Sequence, residues 1–246
     1  MRSFLVALQF LTLLPVKGGK LEEGKLKRAI VFFPLVGLLI GLFLVAANQL
    51  FSFLNLGQLC VNTIIVAFLI FVTGGLHLDG LGDTFDGIAG GKGRDEILRI
   101  MRDPHIGTMG ALSIVIAVIL GIALLSEIGI DIKAKALLLM CVLSRWAMVF
   151  AMFSFPYARK EGKALLFFKN TDVKNFTFAS FITLFIAIAL WHLKGFLIFA
   201  IVALSAYITG KSINTRIDGI TGDTLGAINE IAQIITLIFF AIQEWA

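Results

Sequence analysis

Residues 59–91 read LCVNTIIVAFLIFVTGGLHLDGLGDTFDGIAGG: an uncharged apolar run, a glycine pair, then three aspartates. The first half reads as a helical span over residues 59–73 that delivers the acidic second half. Asp79, Asp83 and Asp86 are spaced by four and three, so on a helix they share one face within roughly 60° of arc. Neighbours at that spacing lie about 5–6 Å apart. At an effective dielectric of ~20, each close pair of ionised carboxylates repels by roughly 3 kcal/mol. A helix gains nothing structural from this. The pattern makes sense if a cation sits between the side chains, or if some stay protonated. Magnesium takes hard oxygen ligands and typically bridges one or two carboxylates to substrate phosphates. The glycines at 80, 82, 87, 90 and 91 carry no side chain, so a bulky ligand could approach the backbone. A solvated acidic end between two spans is the plainer reading, and it explains three carboxylates in phase beside His77 less well.

Outward from this stretch the chain is apolar. Of 246 residues, 59% are hydrophobic and 15% charged, and mean hydropathy is +0.96. These values exclude an ordinary soluble domain and point to an all-α polytopic membrane bundle, a single domain over residues 1–246 embedded in a lipid bilayer. The net charge of +5 is no nucleic-acid footprint, because its position matters more than its sum. Cys60 and Cys141 both lie in apolar runs and fit no disulfide or metal pattern. The N-terminus resembles a short signal peptide, but its apolar stretch is too short to span and no small-residue cleavage site follows. An interfacial or re-entrant helix ending near Pro15 is expected instead.

About seven spans follow, near residues 29–54, 59–73, 107–125, 134–155, 176–191 and 196–209, with the last ending at the C-terminus. The first contains Pro34, which could kink it, and Gly37-x-x-x-Gly41, a close-packing pattern. With the N-terminus inside, the inside segments carry seventeen Lys and Arg and the outside segments only Lys133, Lys135 and Lys194. Arg145 is left within a span. So strong a bias places every carboxylate-rich segment on the cytoplasmic side of the cell (inner) membrane, where nucleotides and phosphorylated metabolites are found.

Other candidates lie in these segments. KGRDEILRIMRDPHIG brings Glu96, Arg99 and Asp103 near one helical face with Arg102 beside them, and Pro104 limits that helix. Gly222-Asp223-Thr224 repeats Gly82-Asp83-Thr84, and Glu230 returns to the face of Asp223 seven residues on. This looks like a second acidic helix facing the first, with a chance match as the alternative. Arg145 is costly within a span, by about 2.5–3.5 kcal/mol on insertion scales, so it faces the interior and pairs with a carboxylate or a phosphate. His77 either caps the second span or touches substrate. No G-x-x-x-x-G-K-[ST], G-x-S-x-G or H-E-x-x-H occurs. Carboxylates with metal and cytoplasmic arginines favour phosphoryl or phosphate-ester transfer.

At these residues the sequence resembles the cobalamin synthase family, the adenosylcobinamide-GDP ribazoletransferases. The likeness covers nearly the whole chain. It runs through FLTLLPV (residues 10–16), RAIVFFPLVGLLIG (28–41), GGLHLDGLGDTFDG (74–87), EILRIMRDPHIGTMG (96–110), SRW (144–146), PYARKEG (156–162) and TGDTLGAINE (221–230). Two positions depart from the family's habit: Leu13 where Arg is frequent, and Asp218 where Gly is usual. The resemblance implies a membrane enzyme that joins adenosylcobinamide-GDP to alpha-ribazole, or its 5′-phosphate, with release of GMP and with Mg2+ as the metal. Asp79, Asp83 and Asp86 are then the expected ligands, with Asp86 or Asp83 as the group that accepts the hydroxyl proton. Arg102, Arg145 and Arg159 are expected to hold phosphates. His77, Asp103, Asp223 and Glu230 complete the expected substrate site. A homo-oligomer stays open. Two other readings remain. A CDP-alcohol-type phosphatidyltransferase would need a fuller motif that this chain lacks. A cation-coupled transporter would place its ionisable groups near the midplane, where here Arg145 alone is deep.

Overall fold

The computed structural model describes residues 2–14, 28–162 and 164–244. Residues 15–27, with Pro15 and the basic residues expected to lie inside, and Lys163 fall outside the described residues. Helix α1 spans Arg2–Leu11. A 3-10 turn, Ile30–Phe32, leads into α2, Phe33–Phe53. Then come α3, Gln58–Thr73; α4, Leu76–Gly90; and α5, Arg94–Ile100. These are followed by α6, Thr108–Glu127; α7, Ile130–Ser154; and α8, Leu165–Asn170. Last are α9, Val173–Ile217, and α10, Gly222–Glu244. Among the described residues the one β contact is an isolated bridge between Tyr157 and Ile220.

Among the described residues five helices are long and apolar enough to cross a membrane, and α3 with α4 qualifies only as a pair bent by 87°. The bend falls at Gly74 and Gly75, whose φ values are 64° and 67°. Two successive left-handed residues suit glycine, which has no Cβ to clash. One of the five, α9, counts twice. A straight helix of 45 residues would run ~68 Å, about twice the hydrocarbon core. The chain leaves helical geometry at Trp191 (φ −146°) and His192 (φ 46°). Both arms then meet α7. The Trp146 indole donates to Ser180 at 2.9 Å and packs 4.2 Å from the Phe199 ring. Phe176 stacks on Phe153, while Gly210 lies against Phe155. Positions 176 and 210 reach the same end of α7 only if the arms are antiparallel. Gly195 sits on the Ala187 carbonyl, where a side chain would not fit. With α9 taken as two arms and the bent pair α3–α4 as one broken span, the described helices are compatible with the expected seven crossings.

Helix α7 is the centre, buried along most of its length and packed by α2, α9 and α10. Gly37 and Gly41 let α2 approach it: a Cβ on Gly37 would strike the Cys141 carbonyl, and one on Gly41 would lie 2.9 Å from Leu138 Cα. The expected close packing is therefore real. Pro34 does not kink this helix. It sits in the first turn, where the missing N–H has no intrahelical partner to lose.

The two ends of the bundle differ in chemistry. At one end Lys133 donates to Gln58 (3.0 Å) and Asn62 (3.3 Å), and Asn62 donates to Ser126 (3.0 Å). At the other end the basic loops converge. Arg94 donates to the carbonyls of Ala158 and Ile217, Arg216 donates to that of Ile88, and Phe10 packs 4.3 Å from Phe167. The loops expected to share a side do share one.

Candidate active site

Helix α4 runs between α6 and α10 at the basic end. Its glycines make this possible. A Cβ on Gly80 would lie 2.5 Å from the Asp223 carbonyl oxygen, and Gly82 and Gly87 face Ile114 and Met101. From the other side, Gly226 of α10 meets the backbone of His77. The expectation that glycines open the backbone to a ligand is overturned at Gly80, Gly87 and Gly91, where neighbouring protein fills that space, while Gly82 lines the cavity beside Asp79 and Asp83.

The packing turns the acidic faces of α4 and α10 towards each other. The charges acting on Asp83 are those of Asp79, Asp223, Arg159 and Asp86. The second acidic helix thus faces the first. Asp79 is exposed, and Asp83 and Asp86 are half-buried. Asp86 has a partner that spacing did not reveal: its two oxygens accept the N–H groups of Gly107 (2.6 Å) and Gly110 (2.7 Å). These are free N–H groups at the start of α6, where a carboxylate also meets the positive end of the helix dipole. The start of α10 is capped within its own chain. Thr224 Oγ1 accepts from the Thr221 N–H at 2.7 Å, and Thr221 Oγ1 accepts from the Thr224 N–H at 3.2 Å.

Arg159 reaches this cluster from a loop held in place by backbone pairing. Ala158 N–H donates to the Ile220 carbonyl and Ile220 N–H to the Pro156 carbonyl, each at 2.9 Å. Gly219, at φ 146°, lies where any side chain would meet Pro156 and Ala158. Arg94 ties both strands of this pairing by donating to Ala158 and Ile217. Arg159 then binds Asp223 at 2.7 Å, with its side chain 11% exposed. Its Nε and Nη2 are buried and have no partner. Two unmatched guanidinium donors beside carboxylates are a cost that an anionic ligand would remove.

Three cavities meet here. One of about 200 Å3 is lined by Asp79, Asp83, Arg102, Asp103 and His105. A second, of about 540 Å3, is a basic basin with Arg94, Arg99, Arg102, Arg159 and Lys160. A third, of about 250 Å3, has Phe10, His77, Asp79, Met148, Tyr157, Arg159 and Asp223 on its walls. Arg102 joins the first to the second, Arg159 the second to the third, and Asp79 the third to the first. Hydrogen bonds from the backbone and ring of His105 hold the Asp103 carboxyl below its ordinary pKa. Burial pushes the Tyr157 phenol up, against the pull of Arg159.

Arg145 and Glu230 lie beneath, as an interior group. Arg145 has no exposed surface. Its Nη1 donates to Ser144 Oγ at 3.0 Å, while Nε and Nη2 are unmatched. Glu230 accepts from Asn229 (3.1 Å) and Gln233 (3.0 Å), and its charge acts on Arg145. The interior setting expected for Arg145 is observed, but among the described residues no carboxylate pairs with it directly, and it lies on the wall of none of these three cavities. His77 is 2% exposed, and its buried Nε2 has no partner. The small cavity of about 40 Å3 beside Glu230 and Gln233 has room for a few waters and for no substrate. Among the described residues, no three His, Cys, Asp or Glu come close enough to enclose a metal by themselves.

The family model described as cobalamin-5-phosphate synthase matches residues 3–241. A protein of Thermoanaerobacter sp. (strain X514) named adenosylcobinamide-GDP ribazoletransferase is 37% identical, over 97% of this chain and 96% of its own. A protein of the same name from Caldanaerobacter subterraneus is 36% identical over 98% of each chain. One from Acetivibrio thermocellus is 37% identical over 98% of this chain and 97% of its own. No solved structure matches.

Proposed function

The chain belongs to the cobalamin-5-phosphate synthase family, and from that premise we propose that it transfers the cobinamide phosphate of adenosylcobinamide-GDP to alpha-ribazole or its 5′-phosphate. The ribose hydroxyl oxygen bonds to the phosphorus that bears the aminopropanol arm. The bond from that phosphorus to the GMP oxygen breaks, and GMP leaves with that oxygen. Asp83, half-buried among carboxylates, accepts the hydroxyl proton. Asp86, with both oxygens engaged by Gly107 and Gly110, holds α6 against α4 and keeps the acidic face in register. Arg159 and Arg102 bind the diphosphate, since a guanidinium fork matches phosphate oxygens. The observation that carries this reading is Arg159: a buried guanidinium on Asp223 with two unmatched donors, on the wall between two cavities.

Magnesium typically keeps one or two carboxylates and completes its shell with substrate phosphates and water. That suits Asp79 beside Arg102, with Asp83 left to take the proton, where the protein alone offers no closed cage. Bound there, the ion supplies positive charge to the diphosphate oxygens. The gathering of the basic loops at the site end supports a cytoplasmic active site in the cell membrane. A transporter reading fits poorly with three polar cavities that share their walls at the basic end of the bundle.

The test is GMP release by purified protein given adenosylcobinamide-GDP with alpha-ribazole or its phosphate. Turnover should stop on chelation and return with magnesium. No GMP with either acceptor sinks the reaction, and full turnover in chelator sinks the metal.

A further inference from the structure

We propose that the 250 Å3 cavity between Phe10, Tyr157 and His77 seats the aromatic base of the acceptor, with its ribose directed to Asp79 and Arg159. This rests on the reaction proposed above and assigns the acceptor its own side of the site. Alpha-ribazole is a riboside of a flat, two-ring base, apolar at one end and hydroxylated at the other. The cavity offers both kinds of contact: Phe10, Met148 and Tyr157 line it, and so do Asp79, Arg159 and Asp223. Its volume lies below the roughly 300–1,000 Å3 of drug-sized pockets, which suits one nucleoside and excludes a corrin macrocycle.

The aromatic wall is fixed before any ligand arrives. The Phe10 ring sits 4.3 Å from Phe167 and 5.8 Å from Phe33, and the Tyr157 ring 4.7 Å from Phe168. Gly162 leaves the space that the Tyr157 hydroxyl occupies. Rings held this way stack on a base with little ordering cost. His77 lies on the same wall. Position supplies the last argument. The cavity meets the basic basin only across Arg159. The nucleotide, rich in phosphate, fits the basin with Arg99 and Lys160. The two substrates then approach the phosphorus from opposite sides, as in-line displacement requires.

The experiment measures KM for each substrate in Tyr157→Ala and Phe10→Ala, with Tyr157→Phe as the variant that keeps its ring. Loss of one base–aromatic stack is expected to raise KM for alpha-ribazole roughly tenfold. KM for adenosylcobinamide-GDP should move less than about twofold, and Tyr157→Phe, which keeps the ring, should raise the ribazole KM far less than Tyr157→Ala. The parent should also prefer a two-ring base over an imidazole riboside, and Tyr157→Ala should flatten that preference. Where Phe10→Ala does not fold, Phe10→Leu replaces it. If the parent makes product while folded Tyr157 and Phe10 variants keep its ribazole KM and base preference, the seat is overturned and the reaction stands. If the parent makes no product, the reaction falls, and the seat falls with it.

Discussion

Asp79, Asp83 and Asp86 look equivalent by spacing and are not equivalent in place. Replacing each by Asn keeps its size and removes its charge. Asp79→Asn and Asp83→Asn should nearly abolish GMP release with little change in melting temperature. Asp86→Asn should instead lower stability, because an amide offers one acceptor where the carboxylate offered two to Gly107 and Gly110. A charged hydrogen bond is worth roughly 1.5–3 kcal/mol, so the loss should show in thermal unfolding of the detergent-solubilised protein. Near-normal turnover of both Asp79→Asn and Asp83→Asn at limiting magnesium would mean that the site lies elsewhere. Arg145 and Glu230 make a second pair of tests. Arg145→Met removes the buried cation whose charge favours an ionised Glu230, so the variant should melt below the parent. The double variant Arg145→Met, Glu230→Gln should recover a large part of that loss. If unfolding shows the two effects simply adding, the residues do not interact. The phase of the aspartates was legible because helical period depends on the sequence alone. The capping role of Asp86 was not, because its partner amides lie across a loop and a short helix. The orphaned donors of Arg159 were likewise invisible: PYARKEG names the arginine but not the backbone pairing that holds it.

At the scale of the helix, glycine decides how near two axes come. Gly37→Ala places a methyl against the Cys141 carbonyl, and backbone cannot yield as a side chain can. The variant should separate α2 from α7 and lose at least about 1–3 kcal/mol, the usual cost of overpacking. Gly57→Ala, with nothing near its Cβ, is the comparison expected to be almost silent. Equal melting temperatures for the two would show that α2 and α7 are not in close contact. The small-x-x-x-small pattern made this contact readable in advance. Gly80 and Gly82 were harder to read, because a missing side chain admits either a ligand or another helix. The sequence around α4 does not say which, and only the arrival of α6 and α10 decides. Pro34 was ambiguous for a similar reason: whether a proline bends a helix or begins one depends on where the first turn starts, and that boundary is among the least legible features of an apolar run.

Across the whole molecule, the charge bias and the hairpin in α9 favour an odd-numbered path. With the basic end inside, the N-terminus should be cytoplasmic and the C-terminus external. Reporter fusions at position 246 and in the loop near position 160 check this. Activity of the C-terminal reporter only inside the cell would require one crossing more or fewer. Number and order of spans were legible from hydropathy, because the bilayer sets helix length. The turn at Trp191 and His192 was approached only as a gap between two apolar runs.

Helix α10 carries Asp223 and Glu230 and packs against both α4 and α7. It is also made after α1 to α9. Until it leaves the ribosome and enters the bilayer, Arg159 has no Asp223 to bind and Gly80 no Asp223 backbone to meet. During synthesis, then, the site is completed only once α10 is in place, and a chain inserted as far as α9 carries the arginines of a catalyst without the means to act as one.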